Sequence, residues 1–328
     1  MTLLITVFVG GLALLAQIAR KSREAEVTLI VVILALSILI VALGGLTGFG
    51  LLLMAANGPA GGDRITFAAA GAAAMFAGVA GGGLCVPPLR RVAGRRRERT
   101  FWTDPPKFLA LWLFAMVLAN NAVSLLLFDQ LPELEKLFSA GRLSPGAVLT
   151  SQLPFVVVAL LGVGFGVRRN ARETLQRLGY GAVSLRHLGV VVLFVAAALA
   201  LSFAADALFA QLQPDLYRKV GEISHNLFNP AGLSPASAIL FALLVGVGAG
   251  LGEETLFRGA VQPKLGIPAT SVLFASMHVQ YGPSLLLGYV FLLSIGLGLL
   301  RKHINTTASF LAHATYNTLG IVLAYFFA

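Results

Sequence analysis

The chain of 328 residues is 57% hydrophobic and only 12% charged, with a mean hydropathy of +0.86 and a formal net charge of +10. That balance excludes an ordinary soluble domain and is the composition of a polytopic α-helical membrane protein. The single cysteine, Cys85, excludes an intramolecular disulfide and any cysteine metal cluster, and the uninterrupted apolar runs exclude an outer-membrane barrel, whose strands alternate.

Apolar segments of spanning or near-spanning length are read at residues 2–19, 27–49, 65–86, 108–128, 146–167, 187–212, 235–258, 267–281, 284–300 and 306–327. The predicted fold is therefore all-α, a transmembrane bundle of about ten helices. The first run, Met1 to Ala19, has no basic leader and carries its positive charges after the apolar stretch, so it reads as a retained helix with its N-terminus outside. In that orientation the inside loops collect Arg20, Lys21 and Arg23; Arg90, Arg91, Arg95, Arg96, Arg97, Arg99 and Lys107; Arg168, Arg169, Arg172, Arg177 and Arg186; Arg258 and Lys264; and Arg301 and Lys302. The outside loops keep only Arg64, Lys136, Arg142, Arg218 and Lys219. Such an asymmetry places both termini outside. It also explains the net charge as a topology signal, so no nucleic-acid partner is expected.

The basic stretch Arg90 to Arg99, followed by Asp104-Pro105-Pro106, is a candidate hinge that could rest on anionic headgroups, although a topology role alone suffices. Further on, Gln213 to Ser234 contains Tyr217, Ile223, Leu227 and Phe228 and is expected to lie along the interface as a short amphipathic segment. Glycines four apart, Gly44 with Gly48, Gly78 with Gly82, Gly246 with Gly250 and Gly248 with Gly252, are read as sites of close helix approach. A nucleotide-binding loop fails because no strand precedes these glycines. No internal repeat is visible. The chain divides into residues 1–186, membrane helices of unknown role, and 187–328, a membrane-embedded module with its motif-bearing core at 235–328.

Charged side chains at bilayer depth are costly and usually mark chemistry or transport. Glu253, Glu254 and Arg258 end the seventh run, and on an α-helix Glu254 lies under Arg258 while Glu253 points about a quarter-turn away. One carboxylate is thus held and its neighbour stays available. His278 follows Phe274 by four, and His313 precedes Asn317 by four on the last run. Counted from the Arg258, Ile267 and Thr306 ends at about 1.5 Å per residue, these groups lie roughly 6–16 Å deep. Three segments would then present acid, imidazole and amide groups to one cavity. His187, His225 and His303 are read as interfacial, Asn120 and Asn121 as interhelical hydrogen-bonding residues or a far cavity wall, and Asp206 as reaching the headgroups.

Glu253-Glu254-x-x-x-Arg258, Phe274-x-x-x-His278 and His313-x-x-x-Asn317, in this order on successive apolar segments, resemble the three motifs of the CPBP family of CAAX proteases and bacteriocin-processing membrane endopeptidases, also called the ABI family. The resemblance covers about residues 235–328 and implies peptide-bond hydrolysis inside the membrane. It implies Glu253 as the base that activates water with His278, His313 and Asn317 as oxyanion donors, and Glu254 with Arg258 holding the first motif. It implies no cofactor, with zinc on two histidines and a glutamate as the alternative. The expected partners are a peptide or lipid-modified protein substrate and the lipid bilayer, and the expected location is the bacterial plasma membrane. A transporter would also bury such groups but would more naturally show broken helices in two related halves; a non-catalytic scaffold would more naturally carry degenerate motifs, and all six residues are intact.

Overall fold

The computed structural model describes residues 2–57, 64–94, 98–128 and 142–327. Arg95, Arg96 and Arg97 of the basic stretch, and Lys136, lie outside the described residues. Regular structure among the described residues is helical, the polytopic all-α bundle that the composition predicts. In chain order the helices are α1 (Thr2–Ile18), α2 (Arg23–Asn57), α3 (Arg64–Leu84), α4 (Val86–Val92), α5 (Pro105–Leu126), α6 (Pro145–Val163) and α7 (Ala171–Leu178). They continue with α8 (Leu185–Leu212), α9 (Pro214–Phe228), α10 (Pro235–Glu253), a π-helical segment (Glu254–Val261), α11 (Gln262–Ser276), α12 (Leu285–His303) and α13 (Thr306–Phe327).

Among the described residues, eight helical stretches are long and apolar enough to cross a membrane, and α1 is a shorter apolar helix. Two of the ten expected segments, 235–258 and 267–281, run on as one 42-residue stretch, Pro235–Ser276. That stretch kinks at Gly266, whose φ of 78° and ψ of 171° suit glycine, and Pro268 follows two residues later.

By contact the chain groups into two compact units, Gly11–Pro132 and Met1–Gly10 with Glu133–Ala328. In the first, α2 and α3 touch backbone to backbone. A Cβ on Gly48 would stand 2.9 Å from the Cα of Gly71, so the predicted small-residue contact at Gly44 and Gly48 is where the two helices meet. Buried Trp112 of α5 donates its indole N–H to Ser37 of α2 at 3.0 Å. The Arg90–Arg99 stretch is tied down where it is described. Arg91 pairs with the buried Glu26, Arg99 donates to the carbonyls of Ala19 and Arg20, and Arg20 pairs with Asp104 at 2.7 Å. These arginines hold the start of α2 as well as carrying positive charge.

In the second unit α10 is gripped on two faces. Gly246 is so close to α13 that a Cβ there would lie 2.2 Å from Thr318 Oγ1, and one on Gly252 would lie 2.4 Å from Gln152 Oε1 of α6. The helix that delivers the glutamates is therefore fixed in rotation by its small residues. The expected amphipathic segment is α9, with Val220 and Ile223 buried and Arg218 exposed on its other side. Asp206 near the end of α8 accepts from Tyr217 of α9 at 3.2 Å.

Candidate active site

The first motif does not continue α10 as an α-helix. Residues 254–261 take the wider π register, in which the N–H of Gln262 bonds to the carbonyl of Phe257, five residues back. Short π segments are uncommon and recur at functional sites. Pro263, just past the segment, has no N–H to donate back into it. The α-helical spacing expected for Glu254 and Arg258 is replaced by this register, yet the two side chains still meet.

Glu254 is fully buried and fully engaged. Its Oε2 lies 3.1 Å from Arg258 Nε and accepts from Ser309 at 2.5 Å, while Oε1 accepts from His313 Nδ1 at 2.9 Å. Arg258, also fully buried, donates from Nη2 to Ser294 Oγ at 3.1 Å and lays its guanidinium over the Phe274 ring, 4.9 Å from the centroid. A carboxylate with its lone pairs committed to a guanidinium, a hydroxyl and an imidazole is a structural acceptor.

Glu253, one residue earlier, is in the opposite state. It is half-buried, and its Oε2 is shielded from solvent with no hydrogen-bond partner among the described residues. It lies near enough to Arg258, His278, Tyr281 and His313 for its charge to act on each.

His278 is not on a helix face, as the 267–281 run predicts. Helix α11 ends at Ser276, and His278 opens a 3-10 turn, Val279–Tyr281, that Gly282 (φ 58°) and Pro283 close. Its ring turns back so that Nδ1 lies 2.9 Å from the Phe274 carbonyl. A carbonyl only accepts, so Nδ1 carries the proton and Nε2 is left with a lone pair. His313 likewise spends its Nδ1 proton on Glu254, which leaves its Nε2 for another partner. Asn317 sits half-buried one turn further along α13. The plate between these groups is Phe274: His278 is 5.0 Å from its ring, Phe257 5.2 Å and His313 5.9 Å.

The structure thus brings Glu254, Arg258 and His313 into direct contact, holds Glu253 and His278 beside them, and places Asn317 one turn away. Sequence reading missed Ser309 and Ser294, which hydrogen-bond Glu254 and Arg258 respectively, and Tyr180. The Tyr180 hydroxyl lies 2.5 Å from Thr255 Oγ1, and burial raises the phenol above its ordinary value. Asn120 and Asn121 belong to the other compact unit, where Asn120 bonds to Asn121 at 3.3 Å. Among the described residues no three His, Cys, Asp or Glu side chains are gathered so as to hold a metal ion.

Buried acid, guanidinium and imidazole groups on apolar helices are costly to place and mark a candidate functional site. Residues 235–319 match the family described as Rce1-like, type II CAAX prenyl endopeptidase Rce1-like, a span that contains all six motif residues. Over that span the chain is similar to a family of CAAX-type membrane endopeptidases, which supports the resemblance to the CPBP family that the three motifs carry. No curated protein and no solved structure matches the chain.

Proposed function

We propose that the protein cleaves peptide bonds in membrane-associated substrates, CAAX-type or leader-peptide-type, with water activated by Glu253. The observation that carries this reading is the contrast between two adjacent carboxylates, Glu254 with its oxygens engaged and Glu253 with a buried oxygen that has no hydrogen-bond partner among the described residues. A base must have an unspent lone pair within reach of water.

In this reading Glu253 takes a proton from water as the hydroxide oxygen bonds to the scissile carbonyl carbon, and the carbonyl electron pair moves to oxygen. His278 orients the same water through the lone pair on Nε2. The oxyanion is met by the Asn317 amide and by Nε2 of His313; donation from that nitrogen requires the doubly protonated ring, whose charge Glu254 faces at 2.9 Å. As the C–N bond breaks, the proton held by Glu253 passes to the departing amine. The products are the carboxylic acid, which keeps the second proton of the water until it ionises, and the amine. Residues 187–328 are the proposed catalytic module, no metal takes part, and a bacterial plasma membrane with both termini outside is the proposed setting.

The test is a series of Glu253→Ala, His278→Ala and His313→Ala in the full chain, assayed on a panel of membrane-anchored peptides in liposomes. Each is expected to lose cleavage that wild type retains in the presence of a chelator. Cleavage by all three variants would dismiss the mechanism. Activity lost on zinc removal and restored on re-addition would replace it with a metal-dependent one.

A further inference from the structure

The π register and Pro263 together leave the Arg258 carbonyl short of a main-chain partner. In an α-helix the Arg258 carbonyl would accept the N–H of Gln262, but that N–H is given to Phe257. The next donor along the chain would be residue 263, and so would the α-helical donor for the Gly259 carbonyl; residue 263 is proline. The Arg258 carbonyl below the glutamates is therefore deprived of a main-chain partner, and the Gly259 carbonyl of its α-helical one, which a buried backbone tolerates only when something else donates.

Two arginines from elsewhere do so. Arg301, in the last turn of α12, donates Nε to the Arg258 carbonyl at 3.1 Å, and Arg177, in the last turn of α7, donates Nη1 to the Gly259 carbonyl at 3.1 Å. The approach of α7 is built for this contact. Gly259 has no side chain, and a Cβ there would stand 2.9 Å from Leu178 Cδ2 and 3.1 Å from the Leu178 carbonyl. Past Leu178 the chain turns through Gly179 at φ 81°, and Thr306 donates to the carbonyls of Leu178 at 2.6 Å and Gly179 at 2.9 Å. Burial holds the Arg177 guanidinium below its ordinary value without bringing it near neutrality.

We infer that Arg177 and Arg301 are positioning residues for the reaction: they replace the N–H that Pro263 lacks and so hold residues 254–261 in the π register that sets the two glutamates. The inference rests on the reading of Glu253 and Glu254 as the site. Without the arginines the Arg258 carbonyl can regain a main-chain partner if the segment slips to the α register, with Gln262 N–H returning to it. That slip turns Glu253 relative to His278 and His313. Misplacement of a reacting group by about 1 Å costs on the order of 10²-fold in rate.

The experiment compares wild type, Arg301→Ala, Arg177→Ala, Pro263→Ala and Arg301→Ala/Pro263→Ala, all as full-length protein in detergent. Amide hydrogen exchange across 254–262 is read by mass spectrometry, and kcat and KM on one membrane-anchored peptide are measured beside it. Each arginine variant is expected to exchange faster across 254–262 than in α13, and to lose on the order of 10²-fold in kcat with KM little changed. Pro263→Ala, which restores the missing N–H, is expected to return slow exchange in the Arg301→Ala background. Unchanged exchange in both arginine variants, or fast exchange that Pro263→Ala does not correct, overturns the inference. If wild type cleaves nothing, the hydrolytic reading fails while the exchange arm still decides whether the arginines hold the turn.

Discussion

Arg258→Met is expected to cost about 3–5 kcal/mol of stability, the range for breaking a fully buried ion pair from one side. The physical reason is the partner left behind. Glu254 would remain fully buried, with only Ser309 and His313 to answer its charge. Methionine preserves most of the packing volume against Phe274, so the loss is electrostatic rather than a cavity effect. The double variant Glu254→Gln/Arg258→Met removes both charges and is expected to regain most of the loss, because buried pairs replaced together are close to neutral. Thermal unfolding of detergent-solubilised protein checks this. Equal destabilisation in the single and double variants would mean that the pair is held by shape and not by charge.

Much of the architecture is legible in the chain because a bilayer imposes a simple rule: twenty or so apolar residues make a helix that satisfies its own backbone. The 187–212 and 306–327 runs correspond to α8 and α13 within about two residues. The rule weakens where the backbone stops being α-helical. The 267–281 run puts His278 on a helix, but Gly282-Pro283 and the 3-10 turn place it beyond the helix end, where it bonds back to Phe274. The π segment escapes a period of 3.6 for the same reason, although Pro263 announces that one N–H is missing.

Other parts of the site carry too little signal to be read. Ser294 and Ser309 are small hydroxyls on apolar helices, where a serine usually bonds its own backbone; only the fold shows them against Arg258 and Glu254. Arg177 and Arg301 are legible as positive charges at helix ends, and topology explains them fully. Their second use, on carbonyls of the π segment, depends on a lost main-chain donor far away in sequence.

Glu253→Gln is the sharper test of the chemistry, because it separates catalysis from folding. The amide keeps the shape of the side chain and removes its basicity, so cleavage is expected to fall by about 10²–10⁴-fold, the usual contribution of a general base. Stability is expected to hold or rise. Glu253 has a buried oxygen without a hydrogen-bond partner among the described residues, so its charge is a cost that the native state carries, and glutamine removes it. Glu254→Gln is the control with the opposite balance, since it withdraws the charge that faces Arg258 and His313. The outcome to measure is the pair of ratios, kcat/KM and unfolding temperature, for the two variants side by side. A Glu253→Gln protein that unfolds as early as Glu254→Gln would make Glu253 part of the scaffold, and the water would then need a different base. A Glu253→Gln protein that stays folded and cannot cleave is the expected result when the neighbouring acids divide the work, one holding the imidazole and the guanidinium and the other left free for the proton.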